Sequence, residues 1–278
     1  MKYMTFNSAC SYAGVANMLA RFGVDTEDRT IALNMKLPYL FAHEDGVYMA
    51  GPMLQSAQWF NLYLHPIGFE FIEREVPSAQ IGAYLRRQET AMLGLRVDDT
   101  GKHAVVYIGN QGDTLTFLNN KWEHTDAPER LTLSEEQLSS RLSDTATVAT
   151  LNRVAPRAVD LRSRMENSIA VIRRNLAEIH AVCRCEATAG QLRQRLNTLF
   201  RPLLLDGITM LQLVGETALA DQFSSLQRGL LAALKQPPDK AFLLSEYLPA
   251  DELTSAAERY VRLIQNELSN GSFPPTLP

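Results

Sequence analysis

The hydrophobic period of this chain switches near residue 155, and no single regular architecture accommodates both halves. Up to that point short runs, most of them rich in β-branched or aromatic residues, alternate with short helical stretches, and Pro and Gly stand at the joints. The runs at 69–72, 91–97, 103–108, 114–118 and 146–151 predict strands, and Gly112-Asp113 between two of them predicts a hairpin turn. Beyond Pro156 the strand signals cease. Apolar residues at helical spacing over 165–183, 192–200, 203–213, 219–234 and 253–268 predict helices instead. Asp160, Thr188, Thr217 or Asp221, and Asp251 mark their starts; Gly190, Pro202, Gly215 and Pro237-Pro238 supply breaks or kinks. The expectation is an α+β fold. A domain over 1–155, with a small, mostly antiparallel sheet packed on helices, precedes an all-α helical bundle over 156–278. The length agrees, because 278 residues is near the size at which one core stops growing and a second begins.

Charge and cysteine content narrow the function classes. Lys and Arg total 27 against 31 Asp and Glu, so the basic excess that neutralises phosphates is missing and no nucleic-acid partner is expected. No uncharged apolar run is long enough for a membrane span; the best, 200–214, is interrupted by Arg201, Pro202 and Asp206. Polar residues at Asn7, Ser8, Ser11 and Asn17 break any signal-peptide core, and 3 cysteines in a chain of this size suit a reducing compartment. A cytoplasmic location is expected. The apolar stripes of the second half read as core first and as a homodimer surface second.

Within the first half, residues 10–22 place Val15, Met18, Leu19 and Phe22 on one helical side, with Gly23 at the C-terminal cap and Asn7 or Ser8 at the start. Cys10 then sits in the first turn, where the positive end of the helix dipole favours a thiolate. Gly51-Pro52 predicts the opening of another helix, carrying Met53, Ala57, Phe60 and Leu64 and ended by His65-Pro66. His103 opens a predicted strand, and a hairpin turning near Gly112 returns Asn119 or Asn120 beside it. Thiol, imidazole and carboxamide are the parts of a nucleophile, its base and the group that fixes the base's tautomer.

A helix-borne Cys near the N-terminus, a hairpin opened by His and an Asx residue at its far end resemble the papain-like cysteine enzymes, especially the bacteriocin-leader peptidases. The stretch His103-Ala104-Val105-Val106 and the later Asn119 are similar to that family's His strand and its Asx partner. The resemblance implies Cys10 as nucleophile, His103 as base and Asn119 as orienter, with Asn120 in reserve and no cofactor. Where the family carries a Gln for the oxyanion, six residues before the nucleophile, this chain has Met4, and Asn7 is the candidate donor with the Cys10 N–H. A second stretch, Glu27-Asp28-Arg29-Thr30-Ile31-Ala32-Leu33 followed by Leu37-Pro38-Tyr39-Leu40-Phe41, resembles the N-terminal domain of butirosin-type acyltransferases.

The implied function is a leader-peptidase-like cysteine peptidase. Its alternatives are an acyltransferase moving an acyl group from a carrier thioester to an amine, and an inactive papain-like peptide-binding module. The substrate is accordingly a peptide or an acyl carrier, and Tyr39, Phe41 and Trp59 are candidates to line its groove. No metal is expected, since His180, Cys183 and Cys185 lack a fourth ligand, and the glycines form no phosphate loop.

Overall fold

The computed structural model describes residues 1–6, 10–98 and 101–271. In chain order the first elements are α1 (Cys10–Arg21), α2 (Asp28–Asn34), a hairpin of β1 (Phe41–Glu44) and β2 (Val47–Ala50), and α3 (Ala57–Leu64). There follow β3 (Phe69–Pro77), α4 (Ile81–Leu85), β4 (Ala91–Asp98), β5 (Gly101–Gln111), β6 (Thr114–Asn119), β7 (Arg130–Ser134), α5 (Glu135–Ser140) and β8 (Thr145–Arg153). The remainder comprises α6 (Leu161–Cys183), β9 (Glu186–Thr188), α7 (Ala189–Arg195), α8 (Gly207–Leu213), α9 (Thr217–Leu234), β10 (Ala241–Leu243) and α10 (Ala250–Asn270). The chain divides into two compact units: Met1–Met35 with Gln55–Val159, and Lys36–Leu54 with the residues from Asp160 onward.

In the first unit six antiparallel strands form one sheet in the order β3-β8-β4-β5-β6-β7. Successive side chains of a strand point to opposite faces, so each strand serves two layers. Leu93, Leu95, Val105, Tyr107, Leu115 and Phe117 line one face and bury Ile81 and Leu85 of α4 and Leu138 of α5. Helix α1 packs on the other, where Met92 lies against Gly14. Its apolar side, Tyr12, Val15, Met18 and Leu19, is fully buried. The helix ends as its sequence predicts: Gly23 adopts φ 81°, Gly23 N–H donates to Ala20 O, and Val24 N–H reaches back to Leu19 O at 3.1 Å.

One expectation is corrected here, and one strand is added. Gly51-Pro52 opens only a single 3₁₀ turn, Gly51–Met53, and α3 starts afresh at Ala57, because Leu54 leaves the helical region at ψ 75°. Strand β7, Arg130-Leu131-Thr132-Leu133-Ser134 at the sheet edge, is not among the expected strands although its polar and apolar residues alternate. The Gly112 turn is present, with φ 59° at the first central position.

The α+β class is the one observed, but the second unit is not purely helical. Phe41 pairs with Ala50 across a hairpin whose turn residues Asp45 and Gly46 both take positive φ, 50° and 77°. Strands β9 and β10 add a three-residue pair, a length at which period-two alternation has no room to show. Around them α6, α8, α9 and α10 pack together. Tyr260 of α10 anchors this core, its ring edge-on to Phe41 and Phe223 and its hydroxyl donating to Pro38 O at 2.7 Å. Two of the predicted starts are caps: Asp160 accepts from Ser163 N–H, and Thr188 forms a capping box with Gln191; α9 and α10 instead follow Glu216 and Pro249, so Thr217 and Asp251 lie within their first turns and cap nothing. Pro202 does not end its helix; turns widened to the π form at Leu196–Phe200 and Pro202–Asp206 accommodate its ring and its missing N–H. Among the described residues no helix is long and apolar enough to cross a membrane.

Candidate active site

The site is built where two strands part. Strand β6 pairs with β5 as far as Asn119, which faces Val105, and then leaves the ladder. In an antiparallel ladder the N–H and C=O of one residue point to the same side, so Ala104 directs both groups toward the gap that β6 vacates. Side chains fill it. The sulfur of Cys10 accepts the Ala104 N–H at 3.3 Å, and Nδ2 of Asn120 donates to Ala104 O at 2.9 Å. A buried backbone pair without ladder partners would be costly, and these two side chains satisfy it. The first residue of α1 is thereby fixed against the peptide that joins His103 to Ala104.

A carboxamide relay holds the arrangement from behind. Asn17, one face of α1 further on, donates Nδ2 to Asn120 Oδ1 at 2.9 Å and to Lys2 O at 2.9 Å, while its Oδ1 accepts Lys2 N–H at 2.7 Å. The segment before Cys10 is clamped as well, because Met4 N–H donates to Lys121 O and Thr5 donates to Asp28 through both N–H and Oγ1. Burial pushes the Asp28 carboxyl above its ordinary range, against the opposing pull of those Thr5 donors.

His103 is half-buried and pairs with Leu95; its ring makes no hydrogen bond to a described residue. Since Val105 faces Asn119, the pleat puts His103 and Asn119 on one sheet face as diagonal neighbours, a separation that long side chains bridge. Asn119 is 2 % exposed, its Nδ2 donates to Pro128 O at 3.1 Å, and its Oδ1 is buried with no partner among the described residues. Asn120 belongs to the opposite face, with Asn17 and Gly14. The two neighbouring asparagines therefore have different surroundings: Asn119, on the sheet face of His103, keeps a buried oxygen without a partner among the described residues, while Asn120 is bonded to Ala104 O and Asn17.

The remaining candidates are dispersed. Asn7 lies outside the described residues. Phe41 (2 % exposed) and Trp59 (3 %) are core side chains of the second and first units respectively, and Tyr39, half-buried, belongs to the second. A groove wall must be reachable, which Phe41 and Trp59 are not. Cys183 is buried, which pushes its thiol up to about 11; Cys185 is exposed, and His180 Nε2 meets Thr254 Oγ1 at 3.2 Å. Among the described residues no group of three His, Cys, Asp or Glu side chains could hold a metal ion. A cavity of about 540 Å³ in the second unit, lined by Glu178, Val182, Cys185, Leu192, Arg195 and others, contains no part of the Cys10 constellation.

Sequence reasoning missed Ala104 and Asn17. The first acts through its backbone, which carries no residue-type signal. Asn17 reads as an ordinary polar residue on a helix, and only its separation from Asn120 by 103 positions, closed in space, gives it meaning.

No protein-family model matches this chain, and no curated protein matches it. Among solved structures the chain is similar to the peptidase domain of Streptococcus ComA, a bifunctional ABC transporter involved in a quorum sensing pathway. The identity is 14 % and the TM-score 0.38, over 53 % of this chain and 95 % of that domain.

Proposed function

We propose that the first unit is a cysteine peptidase-like hydrolase acting by thiol acyl transfer. The observation that carries this reading is the sulfur of Cys10 held 3.3 Å from the Ala104 N–H, one residue from His103. In the proposed cycle His103 takes the thiol proton as Cys10 Sγ attacks a peptide carbonyl, and returns it to the leaving amine. The acyl group remains on sulfur as a thioester. Water, activated by the same imidazole, then releases the acid and regenerates the thiol. Asn119 Oδ1, a buried acceptor without a donor among the described residues, supports the third role, accepting the imidazole N–H and fixing the ring's tautomer.

The test is alkylation by limiting iodoacetamide near neutral pH, followed by peptide mapping, on the native chain and on His103→Ala. Cys10 should label quickly in the former and about tenfold more slowly in the variant. Cys185, exposed, supplies the internal control with equal rates in both, and Cys183, its thiol raised to about 11, should stay unlabelled. Indifference of Cys10 to His103 sinks the reading. It would leave a binding module, the alternative favoured by the absence of a hydrogen bond from the His103 ring to any described residue.

The two asparagines separate in a second measurement. Asn120→Ala removes the side-chain donor to Ala104 O and one of the two acceptors of Asn17 Nδ2, so it should destabilise the unit by about 1–3 kcal/mol in denaturant titration. Asn119→Ala removes one hydrogen bond and an acceptor that has no donor among the described residues, and should lower turnover while changing stability less. The reverse pattern would exchange their roles.

A further inference from the structure

Attack of a thiolate on a carbonyl puts negative charge on the carbonyl oxygen, and a catalyst needs hydrogen-bond donors aimed at that oxygen. The residue after Cys10 on the first turn of α1 is Ser11, whose Oγ donates to Oε1 of Gln55 at 2.5 Å. That bond ties a carboxamide beside the nucleophile and occupies its oxygen end. Its Nε2 donates to no described residue, and Gln55 is an exposed side chain. The backbone carrying it is anchored: Ser56 O accepts from Trp59 N–H at 2.9 Å and Phe60 N–H at 3.1 Å, and both of those side chains are buried. The first N–H groups of α1 stand at the same helix end without intrahelical acceptors.

We propose that the Gln55 carboxamide, held by Ser11, is the side-chain donor that stabilises the oxyanion formed at Cys10. The inference rests on the reading of Cys10 as nucleophile. As the Sγ–C bond forms, the carbonyl π pair moves onto oxygen and is met by Gln55 Nε2–H together with backbone N–H of the α1 first turn. When the carbonyl re-forms, the leaving group departs with the proton carried by His103. Ser11 is a positioning residue, acting through Gln55.

Two reactions of the same thiol test it. Acylation by p-nitrophenyl acetate passes through an oxyanion; alkylation by iodoacetamide is a direct displacement and does not. Both rates are read at Cys10 by peptide mapping on the full chain. Gln55→Ala and Gln55→Glu should each slow acylation at least about tenfold and leave alkylation unchanged, with Ser11→Ala between them and the native chain. Unchanged acylation in both Gln55 variants overturns the proposal, and if His103→Ala still slows alkylation, the Cys10–His103 reading survives that failure. Acylation and alkylation falling together would assign Gln55 a structural role and overturn it too. A native chain that is not acylated at Cys10, and whose alkylation ignores His103, defeats both.

Discussion

Gly229→Ala is expected to lower the melting temperature of the second unit by roughly 6–12 °C, the equivalent of about 3 kcal/mol in a chain of this size. Gly229 lies inside α9, where alanine ordinarily gains about 1 kcal/mol over glycine through helix propensity. Here the opposing term is larger. A Cβ at this position would stand 2.0 Å from Tyr247 O and 3.1 Å from Tyr247 C, both backbone atoms. That backbone has no slack, because Tyr247 and Leu248 N–H groups both donate to Leu244 O and the side chains of Leu244 and Leu248 are fully buried. Either α9 shifts and opens the contact with α10, or the 3₁₀ turn at Leu244–Glu246 unwinds. Thermal unfolding followed by circular dichroism decides it. A melting temperature equal to or above that of the native chain would mean that the helix yields without cost.

How much of this was legible in the sequence follows from what kind of signal each feature leaves. Helix α1 was readable because two independent signals agree, an apolar stripe and the cap at Gly23; its expected polar start lies outside the described residues. The central strands were readable for the same reason, carrying β-branched residues bounded by a turn at Gly112. Strand β7 was not read although Leu131 and Leu133 alternate there with polar residues, and the β9–β10 pair was not, since three residues are too few for alternation to exceed chance. Pro202 misled in the opposite direction: the residue does break an α-helical ladder, but widening the turn is a second way of accommodating it. At the candidate site, Cys10 and His103 stood out by chemistry, and the hairpin arithmetic reached Asn119 and Asn120 together. Choosing between them needed the register, because Val105 facing Asn119 decides which asparagine shares a face with His103. Two of the three aromatic groove candidates are unreachable for a plain reason. Phe41 and Trp59 lie in turn-broken sequence that resembles surface, yet both fill cores.

Gly14→Ala should leave the fold largely intact and cut the acylation rate of Cys10 by about 10²-fold, which makes it the most informative substitution at the site. The argument begins with helix propensity, which favours alanine on α1 by about 1 kcal/mol and offsets part of any clash. A Cβ on Gly14 would come within 2.3 Å of Met92 Sδ and 2.8 Å of Asn120 Nδ2. Met92 can swing its thioether aside at little cost, being flexible along its whole length. Asn120 cannot, since its Nδ2 is committed to Ala104 O and its Oδ1 to Asn17. The strain therefore passes either to the Asn120–Ala104 bond or to α1 itself, and both paths move Cys10 Sγ away from the Ala104 N–H that fixes it. Displacements of that order at a reacting atom are costly in rate while costing little in stability. Adding Met92→Ala to Gly14→Ala should recover little of the rate, because the thioether is not the contact that disturbs the site. Full reactivity in the single variant would show that Cys10 keeps its place without the close approach of α1 to the sheet, and the geometric basis proposed for its chemistry would fall.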